Sequence, residues 1–276
     1  MQNMKIVLAK NLGFCTGVKR ALFIARNSLK NDRKPVYFLG EIIHNEEVIK
    51  EIKKEGGKIV SSPKKIKTGT LIIRAHGAPP LSDLKDILIR DATCPLVKKV
   101  QDAAKKLSEK KYQVVIIGEK KHPEIKGIQG NINNKGIVIE NEKEAEELRR
   151  FKKLGVIVQT TQSWEKVKKL LGILKTKSKR LKWLNTLCPQ VLSRQKELYE
   201  IIKKSAGVLI IGSKTSANTK RMAEIAKKSK NPFWLVNSVA NLEHISFKNL
   251  PSLGIVSGTS APDWEIKKII KYLKNK

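Results

Sequence analysis

The feature that most constrains this chain is a spacing: each of its three cysteines opens the same pattern of elements. Cys15, Cys94 and Cys188 each precede a stretch with helical apolar periodicity, at 18–29, 96–107 and 191–204. Each stretch is followed by a short β-branched run ending in glycine: VYFLG (36–40), VVIIG (114–118) and VLIIG (208–212). From cysteine to glycine the separation is 25, 24 and 24 residues (15 to 40, 94 to 118, 188 to 212). Four residues past the glycine stand His44, His122 and Ser216. Self-similarity at a fixed offset is the mark of a repeated supersecondary unit.

A later apolar run in each repeat leads into a polar loop: TLIIRAHG (70–77), GVIVQTT (155–161) and LGIVSGTS (253–260). Short apolar runs alternating with helical periodicity indicate parallel sheets covered on both faces. The expected unit is helix–strand–helix–strand–strand–helix, with one more strand just before the next cysteine. By that logic the N-terminal run 5–9 completes the third unit. The fold class is therefore α/β. Three similar small α/β domains are expected at 14–93, 94–187 and 188–276, the last completed by segment 1–13, in a pseudo-threefold trefoil. Ligands of open α/β sheets gather beyond the carboxyl ends of the strands. That rule places the repeated loops on one functional face and brings one cysteine from each domain to its centre.

Composition narrows the class of protein. A chain of 276 residues with 40% hydrophobic content can bury a large core. No apolar run reaches the ~18–20 residues of a membrane helix, and the N-terminal apolar run is too short for a secretory signal. An odd number of cysteines argues against a disulfide framework and for a reducing compartment. A soluble, cytoplasmic protein with no membrane partner is expected. The net charge of +32, from 57 Lys+Arg against 25 Asp+Glu, favours anionic partners. The lysines are scattered through the chain rather than gathered in a tail, so charge alone does not select one.

Three thiols at helix starts suit metal ligation, because a helix N-terminus favours the thiolate a metal needs. Pro95 and Pro189 fit first helical positions. Three sulfurs can hold zinc with an open fourth position, or an iron–sulfur cluster with one iron lacking a protein ligand. His44, His76 and His122 fall in the functional loops, whereas His244 does not. With Ser216, Asn218 and Ser260 they offer hydrogen-bond donors to an anionic group. Glu124 follows His122 in a His-Pro-Glu turn, and a carboxyl beside a dry metal site would have a raised pKa and could deliver protons. Neither phosphate-loop nor dinucleotide fingerprint occurs. Two alternatives stay open on these residues: a zinc-dependent hydrolase of a phosphorylated small molecule, or a basic RNA-binding module. The second would use Gly127 to Gly130, which matches the GXXG of RNA-clamping KH domains.

Taken together, GFCTGV (13–18), IIHN (42–45), RAHG (74–77), DATCP (91–95), HPEIKG (122–127), QTT (159–161), SKTSAN (213–218) and SGTSAPD (257–263) resemble the 4-hydroxy-3-methylbut-2-enyl diphosphate reductase family of the methylerythritol phosphate route to isoprenoids. The match runs over nearly the whole chain. The resemblance implies a trefoil of three α/β domains around one 4Fe–4S cluster ligated by Cys15, Cys94 and Cys188. It implies diphosphate binding by His44, His76, His122, Ser216, Asn218 and Ser260, proton delivery by Glu124, and positioning of the substrate hydroxyl by Thr160. The implied reaction is reductive dehydroxylation to isopentenyl and dimethylallyl diphosphate by two one-electron transfers, with the substrate hydroxyl on the open iron. The implied electron donor is a ferredoxin or flavodoxin; nucleic acid is not an expected partner. Two positions depart from the family pattern. Val191 replaces a threonine in the run after the third cysteine, and Ala217 replaces a serine beside Asn218. One lost hydrogen bond to a charged group costs roughly 1.5–3 kcal/mol.

Overall fold

In the computed structural model, which describes residues 4–81 and 84–275, every strand pairs in parallel with its neighbours. After β1 (Lys5–Leu8) the first repeat runs α1 (Thr16–Asn31), β2 (Val36–Leu39), α2 (Glu46–Lys54), β3 (Lys58–Val60), β4 (Gly69–Ile73) and β5 (Ile87–Asp91). The second runs α3 (Pro95–Glu109), β6 (Gln113–Ile117), α4 (Pro123–Gly130), β7 (Ile137–Ile139), α5 (Glu142–Glu146), β8 (Phe151–Val158), α6 (Trp164–Thr176) and β9 (Ser178–Trp183). The third runs α7 (Pro189–Lys204), β10 (Gly207–Ile211), α8 (Ala217–Lys227), β11 (Phe233–Val236), a 3-10 turn (Val239–Leu242), β12 (Ser252–Ser257) and α9 (Asp263–Lys274).

Three four-stranded sheets result, and they share one topology: β3-β2-β4-β5, β7-β6-β8-β9 and β11-β10-β12-β1. The N-terminal strand takes the slot that β5 and β9 fill in the other two, with Lys5 opposite Ser252 and Leu8 opposite Ile255. Contacts group the chain into two compact units. The first comprises Met1–Val18, His44–Ile49 and Pro189–Lys276 and contains the β1 sheet; the second comprises Lys19–Ile43 and Lys50–Cys188 and contains the other two.

Strand sequences explain the layering. Every residue of β10 is buried, because helices cover both faces of its sheet. Val208 and Ile210 pack with Leu198 and Ile201 of α7, while Leu209 and Ile211 pack with Ile266 and Ile269 of α9. Each such side chain contributes about 1.5–3 kcal/mol of burial. In the second unit Val114 and Ile116 of β6 lie against Val100, Ala104 and Leu107 of α3 and Ile125 and Ile128 of α4.

Two local differences from the expected unit have physical causes. The first repeat has no helix between β4 and β5 among the described residues, only turns. Pro79 and Pro80 there lack N–H donors and restrict the residues before them. The second repeat adds the short α5, whose start is capped by Asn141 accepting from the Glu144 N–H.

Candidate active site

Each cysteine is held by the same bond. The Cys15 N–H donates to Thr259 O (3.1 Å), the Cys94 N–H to Ala75 O (2.9 Å) and the Cys188 N–H to Thr160 O (3.0 Å). Each acceptor lies two residues past the end of a sheet's third strand, namely β12, β4 and β8. A rigid strand end thus sets each helix start, and the thiol beside it. All three cysteines are half-buried and none forms a disulfide. In the first unit the Cys15 sulfur also accepts the Val18 N–H at 3.4 Å. Thiols without disulfides, anchored through their own backbone, are a donor set that fits a thiolate-ligated metal centre.

In the second unit the turn after β8 meets α4. Thr160 donates its N–H to Glu124 Oε1 and its hydroxyl to Glu124 Oε2, both at 2.8 Å. Glu124 is 1% exposed, and burial pushes its carboxyl up to about pKa 7, against the two Thr160 bonds that pull it down. Gln159 braces the turn. Its side-chain oxygen accepts from the Glu119 N–H (2.8 Å) and from Gln162 Nε2 (3.3 Å), and its amide donates to Thr161 Oγ1 (3.1 Å). Thr160 is therefore tied to the Glu124 carboxyl through its N–H and hydroxyl and to Cys188 through its carbonyl.

His122 caps α4: its Nδ1 accepts from the Glu124 N–H at 3.1 Å. That bond places the proton of the neutral ring on Nε2, which becomes a donor. The His76 ring meets the His122 ring edge-on, with centroids 5.4 Å apart. His76 owes its place to Gly77, whose φ of +75° turns the loop and whose missing side chain leaves room for Gln101.

The first unit holds Cys15, His44, Ser216, Asn218 and Ser260. Ser216 caps α8 by accepting from the Thr219 N–H. Asn45, next to His44, caps α2 by accepting from the Val48 N–H (3.1 Å) and donates from its amide to Ser260 O (3.0 Å). Ser260 Oγ and Asn218 Oδ1 are buried without a protein partner, and the Asn218 amide nitrogen reaches only Met222 Sδ at 3.7 Å. Buried polar atoms left unsatisfied cost ~1–3 kcal/mol each. Their presence here fits a polar ligand that completes them.

At three places the structure adds to the sequence reading. The third residue after every cysteine is a buried valine: Val18, Val97 and Val191, at 8%, 4% and 3% exposure. Ala217 is buried at the first position of α8 and contributes packing. The GXXG run is no RNA-clamping loop. It lies inside α4, where a Cβ on Gly127 would be 3.4 Å from the Ala78 backbone and one on Gly130 2.5 Å from Pro79. Its glycines allow close helix packing. The supporting residues Asn45, Gln159 and Arg194 were not singled out from sequence. Asn45 carried the signal of an N-cap before Glu46-Glu47; Arg194 carried that of a charge at an apolar helical position.

The family described as LytB protein matches residues 6–274. The 4-hydroxy-3-methylbut-2-enyl diphosphate reductase of Dictyoglomus turgidum is 38% identical, covering 99% of this chain and 97% of that protein. The corresponding Aquifex aeolicus reductase is 36% identical, covering 96% and 94%. The solved Plasmodium falciparum reductase superposes with a TM-score of 0.93 at 29% identity, over 99% of this chain and 89% of that one. A second solved reductase, described as the terminal enzyme of the non-mevalonate pathway, gives a TM-score of 0.72 at 35% identity, over 99% and 100%.

Proposed function

This chain belongs to the LytB protein family, and on that footing we propose that it reductively dehydroxylates 4-hydroxy-3-methylbut-2-enyl diphosphate to isopentenyl and dimethylallyl diphosphate. The change consumes two electrons and two protons and releases water. The observation that carries the reading is the Cys188–Thr160–Glu124 chain, in which Thr160 accepts from the backbone N–H of Cys188 and donates twice to a buried acid.

Cys15, Cys94 and Cys188 are assigned as ligands of one 4Fe–4S cluster, which when bound supplies single electrons and an open iron for the substrate oxygen. Hydroxide is a poor leaving group, so a proton must reach the oxygen as the C–O bond breaks. Glu124 is assigned as its source. When Glu124 is protonated at Oε2, that O–H donates to Thr160 Oγ1, and the Thr160 hydroxyl turns its own proton toward the departing oxygen. The Thr160 N–H keeps Oε1 in place throughout.

Diphosphate binding is assigned to His44, Ser216, Asn218 and Ser260 of the first unit and to His76 and His122 of the second. The His122 Nε2 proton, the Ser260 hydroxyl and the Asn218 amide N–H groups, otherwise held by Met222 Sδ, are the kind of fixed donors that a multiply charged phosphate needs. The three sheets are read as the cores of three domains, at 14–93, 94–187 and 188–276 with 1–13. Among the described residues no helix is long and apolar enough to cross a membrane. We assign the enzyme to the cytoplasm, with a ferredoxin or flavodoxin as donor, whose acidic surface the +32 charge would attract.

The test is turnover. Full-length protein reconstituted anaerobically with iron and sulfide, given the hydroxylated diphosphate and a reduced one-electron dye, is expected to yield both isoprenoid diphosphates. Iron-replete protein that forms neither would refute the assignment.

A further inference from the structure

We infer that Arg194 is a positioning residue that clasps the Cys15 turn to the Ser257–Ser260 turn, so that the two move as one body. Arg194 lies on α7, 5% exposed, in the first unit. Its Nη1 donates to Ser257 O (3.0 Å), Ser257 Oγ (3.0 Å) and Gly258 O (3.1 Å), and its Nη2 donates to Gly13 O (2.7 Å). Ser257 Oγ also accepts the Gly13 N–H at 2.9 Å. Gly13 therefore meets the clasp with both its peptide groups, and Cys15 then adds its own bond to Thr259. One planar guanidinium spans two chain segments, which a point-charge ammonium cannot copy.

The repeat shows why a charge stands at a core position. Six residues past each cysteine come Ala21, Val100 and Arg194; the first two are apolar and buried. In those two repeats the third and fourth strands of the sheet, β4 with β5 and β8 with β9, are joined by continuous chain. The third sheet is different, since its fourth strand is β1 and its third is β12, from opposite ends of the sequence. No covalent link fixes the Gly13 turn relative to the end of β12. Arg194 supplies that link with hydrogen bonds. On the reading proposed above, Cys15 is a cluster ligand and Ser260 a diphosphate donor, so the clasp sets one relative to the other; the clasp itself does not depend on that reading.

The experiment compares full-length wild type with Arg194→Met, Arg194→Lys and Ser257→Ala. Hydrogen exchange of the proteins as purified tests the clasp. Arg194→Met is expected to speed exchange at the Gly13 and Cys15 amides about tenfold or more, with β10 amides unchanged, since local opening exposes only the released bonds. After anaerobic reconstitution, the same variant is expected to lose iron to a chelator and to raise KM for the diphosphate, each about tenfold, as loss of outer-shell support does. Arg194→Lys is expected to recover only part of both. A lower melting temperature with unchanged exchange at Gly13 and Cys15, iron retention and KM would overturn the proposal and leave Arg194 a packing residue. If Arg194→Met does not fold, Ser257→Ala removes the oxygen shared by Gly13 and Arg194, and the same local exchange increase is required of it. A wild type that binds no iron defeats the functional reading instead, and the exchange comparison then decides the clasp.

Discussion

Thr160 meets Glu124 twice, its backbone N–H on one carboxylate oxygen and its hydroxyl on the other, each at 2.8 Å. The carboxyl is thereby oriented while its burial holds it at about pKa 7. An acid poised near the working pH is present in both protonation states, which is what repeated proton delivery requires.

Replacing it tests the assignment. Glu124→Gln keeps the shape and the Thr160 N–H bond to Oε1, while its amide donates to Thr160 Oγ1 where the carboxylate accepted; it has no acidic proton to release. Its kcat is expected to fall by about 10²–10⁴ with KM little changed. Steady-state rates decide it, and a wild-type kcat would remove Glu124 as the proton source.

The same group makes stability depend on pH. Its folded pKa is raised, so between pH 4.5 and 7 the native state holds a proton that the unfolded chain has released. The fold therefore loses stability as pH rises through that window, by about 3 kcal/mol from this group. Glu124→Gln should lack this contribution. Denaturant unfolding at pH 5 and pH 8 checks it; an identical pH difference in wild type and variant would contradict it.

An opposite sign is expected for Asp32. Arg90 grips it with two bonds, 2.8 Å from Nε and 2.7 Å from Nη2, and holds its carboxyl down to about pKa 2. The pair contributes stability above pH 3.8 that disappears as pH falls toward 2. Because Arg90 is half-exposed, Asp32→Asn is expected to cost only about 1 kcal/mol at pH 7, and clearly less at pH 2. Equal losses at both values, read from denaturant curves, would show that the pair is not the source.

The repeat was readable because spacing is set by geometry: a helix, a turn and a strand of fixed length separate each cysteine from its glycine. That was enough to place β1 beside β12 and every cysteine at a helix start. It was not enough to see bonds between distant segments. Nothing local in the sequence couples Arg194 to Gly13, and only the folded chain shows that His122 accepts from the Glu124 N–H. GXXG leaves an RNA clamp open as an alternative because a motif of two glycines cannot tell a clamp from a close helix contact, and only the neighbours Ala78 and Pro79 decide.

Val191 shows the same limit. Read against a family pattern it lacked a hydroxyl; read against Val18 and Val97 it fills a core site. Val191→Thr is expected to bury an extra hydroxyl and cost about 1–3 kcal/mol of stability without improving KM. Thermal melts with parallel kinetics check it, and a lower KM would reinstate the missing hydroxyl as a substrate contact.

The most direct measurement is Mössbauer spectroscopy with iron analysis on anaerobically reconstituted protein, for wild type and for Cys15→Ser, Cys94→Ser and Cys188→Ser. The account predicts about four irons per wild-type chain, a change at one iron when the hydroxylated diphosphate is added, and loss of the cluster in each variant. Stoichiometric zinc in place of iron, or a Cys94→Ser protein with the wild-type spectrum, would contradict it.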